Sequence, residues 1–199
     1  MLADAIDYGL QTFGDQFDTI AVDDSTATRR FAMSKGLEIN QATNKSKTLT
    51  EIVEKWDVVA PAVQDYGIEM SLIMQFMVGT IEICKKNNKH LLIGAHERLT
   101  YKKASQIGEP ATLVKTRPGF TGQTFPDDIT GLFDIVTHAE AVGGSSNIIY
   151  RQRFAGDEEL TAKCRYAGIF ETLETNVNFL KCVERIKAAQ LNPKAAFKR

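Results

Sequence analysis

The sequence has few residues of several types, and each scarcity argues against some classes of protein. Its 199 residues include only 3 cysteines, 5 prolines and 1 tryptophan, and the formal net charge is -1. Three widely spaced cysteines favour reduced thiols over a disulfide framework or a zinc site. A charge near zero gives no overall attraction to nucleic acid, so any nucleic-acid surface has to be a local patch.

Long apolar runs are also missing. The chain has no stretch of about 18 uncharged apolar residues, which argues against a membrane span. The N-terminal residues Met-Leu-Ala-Asp-Ala-Ile-Asp carry acids where a signal peptide needs positive charge. We therefore expect a soluble, cytoplasmic protein with no membrane partner.

The residues that are present fit one globular domain. Hydrophobic residues make up 43% of the chain and charged residues 25%, which are ordinary values for a folded protein. The length suits one domain with its own core. We expect a single domain over residues 1–191, followed by a basic, flexible tail over 192–199.

Helical and strand patterns alternate along the first half of the chain. The predicted helices are 2–13, a segment from 24 or 25 to 36, and 63–86, and the predicted strands are 17–24 and 90–97. The apolar stripe of the longest helix is Ile68, Leu72, Phe76, Gly79 and Ile83, widened by Met70, Ile73, Met74 and Met77, so we expect this helix to be well buried. Strands separated by helices are the repeating unit of α/β folds. The pattern predicts a three-layer α/β/α arrangement with a mainly parallel sheet.

The second half is richer in short strands. We predict strands over 111–115, 135–142, 147–154 and 160–165, helices over 126–132 and 174–190, and segments without regular structure over 40–48 and 98–110. On the last helix, Val177, Leu180, Val183 and Ile186 form the expected apolar side. The Gly143-Gly144 pair between two strands is a hairpin signal. We expect this antiparallel hairpin to extend the parallel sheet.

The first strand ends in two acids, Asp23 and Asp24. In nucleotide-hydrolysing α/β proteins an apolar strand delivers an aspartate to the carboxyl edge of the sheet, where it holds magnesium beside the phosphates. Asp23 is the candidate for that metal role. The alternative for Asp24 is that it caps the helix that follows.

The second strand also ends in polar residues, His96 and Glu97. Ligand sites in open parallel sheets lie outside the carboxyl ends of the strands, so both strand ends should meet in one crevice. His96 or Glu97 would then orient an attacking water or contact the terminal phosphate. The alternative is that His96 only ends its strand and that Glu97 pairs with Arg98 at the surface.

Several short motifs follow one another in a fixed order over roughly residues 16–170. They are Phe17-Asp18-Thr19-Ile20-Ala21-Val22-Asp23-Asp24-Ser25, Val63-Gln64-Asp65-Tyr66-Gly67, Leu92-Ile93-Gly94-Ala95-His96-Glu97, Pro118 with Gly122, Phe133-Asp134, and Ala162-Lys163-Cys164-Arg165 before Gly168. This order resembles the phage-encoded RecA-like ATP-binding proteins, including the Sak-type single-strand annealing recombinases. The resemblance implies a RecA-like P-loop NTPase core, ATP and Mg²⁺ as ligands, and a role in phage DNA recombination or replication in the host cytoplasm.

The resemblance also implies roles for individual residues at the strand ends. It places the magnesium on Asp23, with Asp24 and Ser25 beside the nucleotide. It places His96 and Glu97 near the terminal phosphate.

Two basic residues late in the chain, Lys163 and Arg165, resemble those that reach a neighbouring subunit's nucleotide in RecA-type filaments or rings. The resemblance therefore implies a homo-oligomer, in which a guanidinium stabilises charge across the interface. The alternative is that both residues keep a strand edge soluble.

One motif of such proteins is missing. A phosphate-binding loop reads G-x-x-x-x-G-K-[ST], and its nearest counterpart here, Gly119 with Gly122, has the wrong spacing and no lysine. We expect an N-terminally incomplete piece of a longer ATPase, which by itself is not a self-sufficient ATPase. The alternatives are loss of the loop, with the fold retained as a non-catalytic DNA- or protein-binding module, or a phage assembly protein.

Basic residues cluster after the second strand. They are Arg98, Lys102, Lys103, Lys115 and Arg117, accompanied by Tyr101 and Phe120. Basic groups bind the phosphate backbone and aromatic rings stack on bases, so this stretch is a candidate site for single-stranded DNA. The alternative is a solvated loop balanced by Glu97 and Glu109.

Overall fold

The computed structural model describes residues 2–43, 63–102, 112–144, 147–166 and 168–191. Lys103, the tail over 192–199 and most of the loop predicted over 40–48 lie outside these residues. The chain divides into two compact units. The first contains Met1–His96 with Pro118–Ile129, and the second contains Glu97–Arg117 with Thr130–Arg199.

The first unit holds three long helices and a pair of strands. They are α1 (Leu2–Phe13), a short 3-10 turn (Gly14–Gln16), β1 (Thr19–Val22), α2 (Ser25–Thr43), α3 (Val63–Lys86) and β2 (His90–Ile93). Strands β1 and β2 pair in parallel, with Thr19 opposite His90 and Val22 opposite Ile93. Helices α2 and α3 pack along each other, and α3 also contacts α1 and β2. The prediction of parallel strands joined through helices is therefore confirmed for these two strands.

Helix α3 has the predicted bounds, and its buried face coincides with only part of the predicted stripe. Its buried residues are Asp65, Glu69, Ile73, Met77, Thr80 and Cys84. The predicted stripe through Ile68 and Leu72 is only half-buried. Ile73 and Met77, which were predicted to widen the stripe, are fully buried, whereas the burial of Asp65, Glu69 and Thr80 on the same face was not predicted.

Helix α2 runs past the predicted stop at Gly36. Gly36 is buried, and a Cβ there would lie 3.4 Å from Ile68 Cγ2 and 3.5 Å from the backbone oxygen of Asp65. An alanine methyl would make ordinary contact there, but a larger side chain would not fit between α2 and α3, and the glycine does not end the helix. Residues 40–43, predicted as loop, belong to this helix.

Helix α3 is also the one helix in the described part of the chain that is long and apolar enough to cross a membrane. The segment is Asp65–Lys86, with a mean hydropathy of 1.3. Core helices of soluble proteins pass the same test, so this finding is weak evidence for a membrane span.

The second unit is built mainly from short strands. They are β3 (Glu97–Lys102), β4 (Thr112–Pro118), β5 (Ile135–Val136), β6 (His138–Val142), β7 (Ile149–Arg153), β8 (Lys163–Cys164) and β9 (Leu173–Thr175). Helix α4 (Phe125–Gly131) leads into this unit from the first, and α5 (Phe179–Leu191) ends it. The strands form the pairs β3–β4 and β5–β8 and a three-stranded sheet in the order β6–β7–β9.

The predicted hairpin is present, as the antiparallel pair of β6 and β7. Its sheet is completed by β9, which is antiparallel to β7. Among the described residues this sheet is separate from the β1–β2 pair. The fold is thus a mixture of helices and small sheets, and the expected continuation of the parallel sheet into the hairpin is not seen.

Two segments of the second unit differ from their predictions. Residues 98–102 were expected to be irregular but form most of β3. The last helix begins at Phe179, because residues 173–175 pair with β7 and the Asn178 side chain accepts a hydrogen bond from the Lys181 amide at 2.9 Å. Leu180, predicted on its apolar side, is 63% exposed.

The core of the second unit is small and aromatic. Phe154, Val177 and Cys182 are buried together. Ile135, Cys164 and Phe170 pack against them. The rings of Phe154 and Phe170 stack with centroids 4.4 Å apart. This core joins α5 to the strands.

Candidate functional site

The carboxyl ends of β1 and β2 lie side by side. The amide of Gly94 donates to the carbonyl of Val22 at 3.0 Å, and the amide of Ser25 donates to the carbonyl of Gly94 at 2.9 Å. These bonds continue the pairing one step beyond the strands and fix the start of α2 against the end of β2. The prediction that the two strand ends meet at one edge is confirmed.

Asp24 and His96 make contact at this edge. Asp24 Oδ2 lies 3.1 Å from His96 Nε2, and Asp24 Oδ1 accepts a hydrogen bond from the amide of Ala27 at 2.9 Å. Asp24 therefore caps α2 with one oxygen, as its alternative interpretation stated, and holds the histidine ring with the other. The His96 side chain is 73% exposed, so the pair contributes orientation more than stability.

Asp23 has an exposed carboxylate at the same edge. Within the described residues it makes no hydrogen bond or ion pair. A Cβ added at Gly94 would lie 3.3 Å from Asp23 Oδ1, so the glycine leaves room for this carboxylate. The peptide bond between Asp23 and Asp24 is cis. The edge thus presents an exposed carboxylate after the end of β1 and, beyond the end of β2, a histidine that contacts Asp24.

A magnesium ion fits this arrangement only if other ligands complete its coordination. Mg²⁺ in nucleotide sites is held by one or two carboxylates together with waters and phosphate oxygens. The open carboxylate of Asp23 meets that need. The described residues contain no group of three or more His, Cys, Asp or Glu side chains able to hold a metal by themselves.

Ser25, expected beside the nucleotide, is buried at the first residue of α2. Its backbone amide donates a hydrogen bond to the carbonyl of Gly94. Ser25 therefore joins α2 to β2, while Asp23 and His96 form the exposed part of the edge.

Glu97 belongs to the second unit, where it begins β3. Its carboxylate lies 2.9 Å from His138 Nε2. Neither interpretation of Glu97 anticipated this partner, because the two residues are 41 positions apart and no local pattern connects them.

Lys163 is the first residue of β8 in the second unit, and Arg165 directly follows that strand. Arg165 Nη1 pairs with Asp134 Oδ1 at 3.0 Å, and Arg165 Nη2 donates to the carbonyl of Gly131 at 2.8 Å. Lys163 Nζ donates to the same carbonyl at 3.3 Å. Desolvation lowers the pKa of Lys163, and the neighbouring Arg165 charge lowers it further. Both residues are thus tied to their own chain, and their role at a subunit interface stays a prediction.

The basic cluster is divided between two paired strands. Arg98 and Lys102 lie on β3, and Lys115 and Arg117 lie on β4. Lys103 lies outside the described residues. Tyr101 on β3 is 52% exposed, which suits a stacking role. Phe120 was wrongly included, because it is 2% exposed and packs edge-on against Phe125 in the first unit.

A further polar cluster, which the sequence did not reveal, lies inside the first unit. Arg29 of α2, Glu69 of α3 and Thr121 form a closed triangle of hydrogen bonds. We call these three residues the Arg29 cluster. The only sequence signal was an acid within the apolar stretch of α3. The partners of Glu69 are 40 and 52 positions away, so no local pattern identifies them.

Comparison of the chain with protein-family models, with curated proteins and with solved structures found no match in any of the three.

Proposed function

We propose that the chain is the aspartate-strand part of a RecA-like nucleotide-binding core and that it contributes to a site for ATP with Mg²⁺. The observation that carries the proposal is the meeting of two parallel strand ends, with Asp23 open and His96 held by Asp24. Nucleotides bind at such edges because the carboxyl ends of parallel strands leave a crevice.

The residues of the edge have distinct roles in this proposal. Asp23 holds the magnesium ion, whose charge, when it is bound, offsets the charge of the phosphates. His96 faces the terminal phosphate and orients the attacking water. Asp24 fixes the ring of His96 and the start of α2. A glycine-lysine loop supplied from outside the 199 residues would grip the phosphates, so hydrolysis belongs to the intact protein.

The proposal extends to the assembly and its setting. Lys163 and Arg165 would reach the nucleotide of a neighbouring copy in a homo-oligomer after exchanging their present contacts with Gly131 and Asp134. The setting would be phage DNA recombination or replication in the host cytoplasm.

Calorimetric titration of ATP, with and without Mg²⁺, tests the nucleotide site. The titration is made on the chain and on a version extended upstream in its reading frame. We expect magnesium-dependent binding of ATP by the extended protein. Asp23→Asn in that protein should bind at least about tenfold more weakly, because a charged metal ligand is lost. Asp15→Asn, an exposed acid in the same unit, is the matched control. Equal affinity of Asp23→Asn and Asp15→Asn, or no binding by either parent protein, would refute the site.

A second function, binding of single-stranded DNA, is favoured by the pairing of β3 with β4. This pairing brings two strands with basic residues next to each other, beside the exposed ring of Tyr101. We propose that this β3–β4 ribbon binds the phosphate backbone and stacks one base on Tyr101.

Fluorescence anisotropy of labelled single-stranded DNA at several salt concentrations tests the ribbon. Removal of one phosphate contact, in Arg98→Ala, should lower the salt slope by about one. Tyr101→Ala should weaken binding by about 1–3 kcal/mol without changing that slope. Lys187→Ala on exposed α5 is the control. A salt slope of the Arg98 variant equal to that of the control would exclude the ribbon.

A further inference from the structure

Glu69 is a charged residue in an interior position. It lies in the middle of α3 and is 0% exposed. A buried carboxylate is tolerated when it is paired with a cation and its oxygens accept hydrogen bonds. Glu69 Oε1 accepts from Arg29 Nε at 2.7 Å, and Thr121 Oγ1 lies 3.1 Å from Oε1 and 3.0 Å from Oε2. Both oxygens are therefore satisfied within the first unit.

Arg29 connects this buried carboxylate to the loop that follows β4. Its Nη2 donates to Thr121 Oγ1, whose own hydrogen is then left for Glu69. Its Nη1 donates to the carbonyl of Gly119 at 2.9 Å. The guanidinium thus fixes the loop at two points, and the direction of each hydrogen bond is determined.

The same loop holds the backbone of the candidate site. The amide of Gly119 donates to the carbonyl of His96 at 2.7 Å. A continuous series of polar contacts therefore runs from Glu69 through Arg29 and Gly119 to His96, and from the His96 ring to Asp24. Every member belongs to the first unit.

His96 has few other constraints in the described structure. It lies three residues beyond the end of β2, and its ring is mostly exposed. A residue in that position keeps one orientation only if its backbone is held, because a single exposed pair with Asp24 is weak. The hydrogen bond from Gly119 supplies that restraint.

We propose that Arg29, Glu69 and Thr121 are positioning residues for His96. The Arg29 cluster fixes Gly119, and Gly119 fixes the backbone of His96 at the edge of the β1–β2 pair. Buried ionic clusters contribute little net stability compared with apolar residues of the same size, but they permit few alternative arrangements. The inference deepens the proposed nucleotide site and rests on it for its functional meaning.

Hydrogen exchange and NMR of the nucleotide-free chain test the positioning directly. In the parent chain the Gly119 amide should exchange at least about tenfold more slowly than an unprotected loop amide, because it is hydrogen-bonded. Glu69→Gln should speed this exchange by about tenfold and shift the ring nitrogen signals of His96, because the Arg29 guanidinium loses its anionic partner. Glu82→Gln, an exposed acid on the same helix, should change neither signal.

Thr121→Val provides a second variant that keeps the size of the side chain and removes only its hydroxyl. We expect it to move the Gly119 exchange rate and the His96 signals in the same direction as Glu69→Gln. An unprotected Gly119 amide in the parent chain would overturn the inference. So would a folded Glu69→Gln or Thr121→Val chain whose His96 signals and Gly119 exchange match those of the parent.

Titration with ATP and Mg²⁺ separates this inference from the nucleotide proposal. If the upstream-extended protein binds ATP, Glu69→Gln in that protein should weaken binding about fivefold or more, as expected for a displaced hydrogen-bonding group. Absence of ATP binding together with the expected changes at Gly119 and His96 would reject the nucleotide proposal and leave the positioning intact. Unchanged affinity in Glu69→Gln of a protein that binds ATP would contradict the link between the positioning of His96 and the nucleotide site.

Discussion

At the scale of single residues, the acidic side chains of the first unit lie in two different environments, one exposed and one buried. Asp23 is exposed at the carboxyl edge of the β1–β2 pair, and Asp24 is half-buried there. Glu69 lies inside, where its charge requires the Arg29 guanidinium. The same chemical group is therefore exposed to solvent at the edge and ion-paired in the interior.

Asp24 combines a helix cap with a contact to His96, and two substitutions separate these roles. Asp24→Ala removes the acceptor for the Ala27 amide and should lower the free energy of unfolding by about 1 kcal/mol. Asp24→Asn keeps an equally good capping oxygen and should lose much less. Urea denaturation of both variants checks this expectation. Equal losses would show that the cap does not matter.

Cys84 should make stability depend on pH. Burial raises the pKa of its thiol in the folded chain. The folded chain therefore favours the neutral thiol. The contribution of Cys84 to the free energy of unfolding is complete below the ordinary thiol pKa, and it is lost as the pH rises through the raised pKa of the folded chain. We expect the urea midpoint to fall above about pH 8.5 and to fall less in Cys84→Ala. Midpoints measured at neutral and alkaline pH decide this, and an equal fall in both chains would contradict it.

At the scale of elements, the long periodic segments were predictable and the short ones were less so. The bounds of α1 and α3 match the predictions, because many residues contribute to each helical pattern. Strands β1 and β2 were recognised from their apolar runs and acidic ends. Strand β3 was missed because an exposed, charged strand has no apolar pattern, and its regularity comes from pairing with β4.

The candidate site, too, was predictable from the sequence only in part. The approach of Asp24 to His96 follows from two strand ends in a parallel pair, which the sequence indicates. The Arg29 cluster does not follow, because its contacts join residues 40 to 92 positions apart. Such pairs depend on the packing of α2 against α3, which periodicity does not describe.

Gly36 tests that packing. A Cβ in Gly36→Ala would meet Ile68 at ordinary contact distance, and alanine favours a helix interior by about 0.5–1 kcal/mol. We therefore expect a small gain in stability. Gly36→Leu should instead force α2 and α3 apart and cost about 1–3 kcal/mol or more. Thermal denaturation of the two variants checks both signs, and a stable leucine variant would contradict the close approach.

The β6–β7 hairpin depends on one of its two glycines. Gly143 has a φ of 117°, and a Cβ there would lie 2.1 Å from the carbonyl oxygen of Asn147. Gly143→Ala should therefore cost about 1–3 kcal/mol. A Cβ at Gly144 meets none of the described residues within 4 Å, so Gly144→Ala is the matched control and should be nearly neutral. Similar urea midpoints for the two variants would refute the assignment.

At the scale of the whole molecule, neither unit is a continuous piece of chain. The first unit takes Pro118–Ile129 from beyond β3 and β4, and the second is interrupted by that same segment. The inserted segment supplies Phe120 to the interior and Thr121 to the Arg29 cluster. The folding of the first unit therefore requires residues that follow it by more than twenty positions.

A fragment ending at His96 should consequently fail to fold, whereas one ending at Ile129 should not. The shorter fragment loses the burial of Phe120, worth about 1.5–3 kcal/mol, and leaves Glu69 without Thr121. The free energy of unfolding of a small unit is only a few kcal/mol. We therefore expect fragment 1–96 to be proteolysed rapidly and to show no cooperative urea transition. Fragment 1–129 should retain both the transition and the slow exchange of the Gly119 amide. If 1–96 unfolded cooperatively at the same urea concentration as 1–129, the inserted segment would be dispensable and the division of the chain into these two units would be wrong.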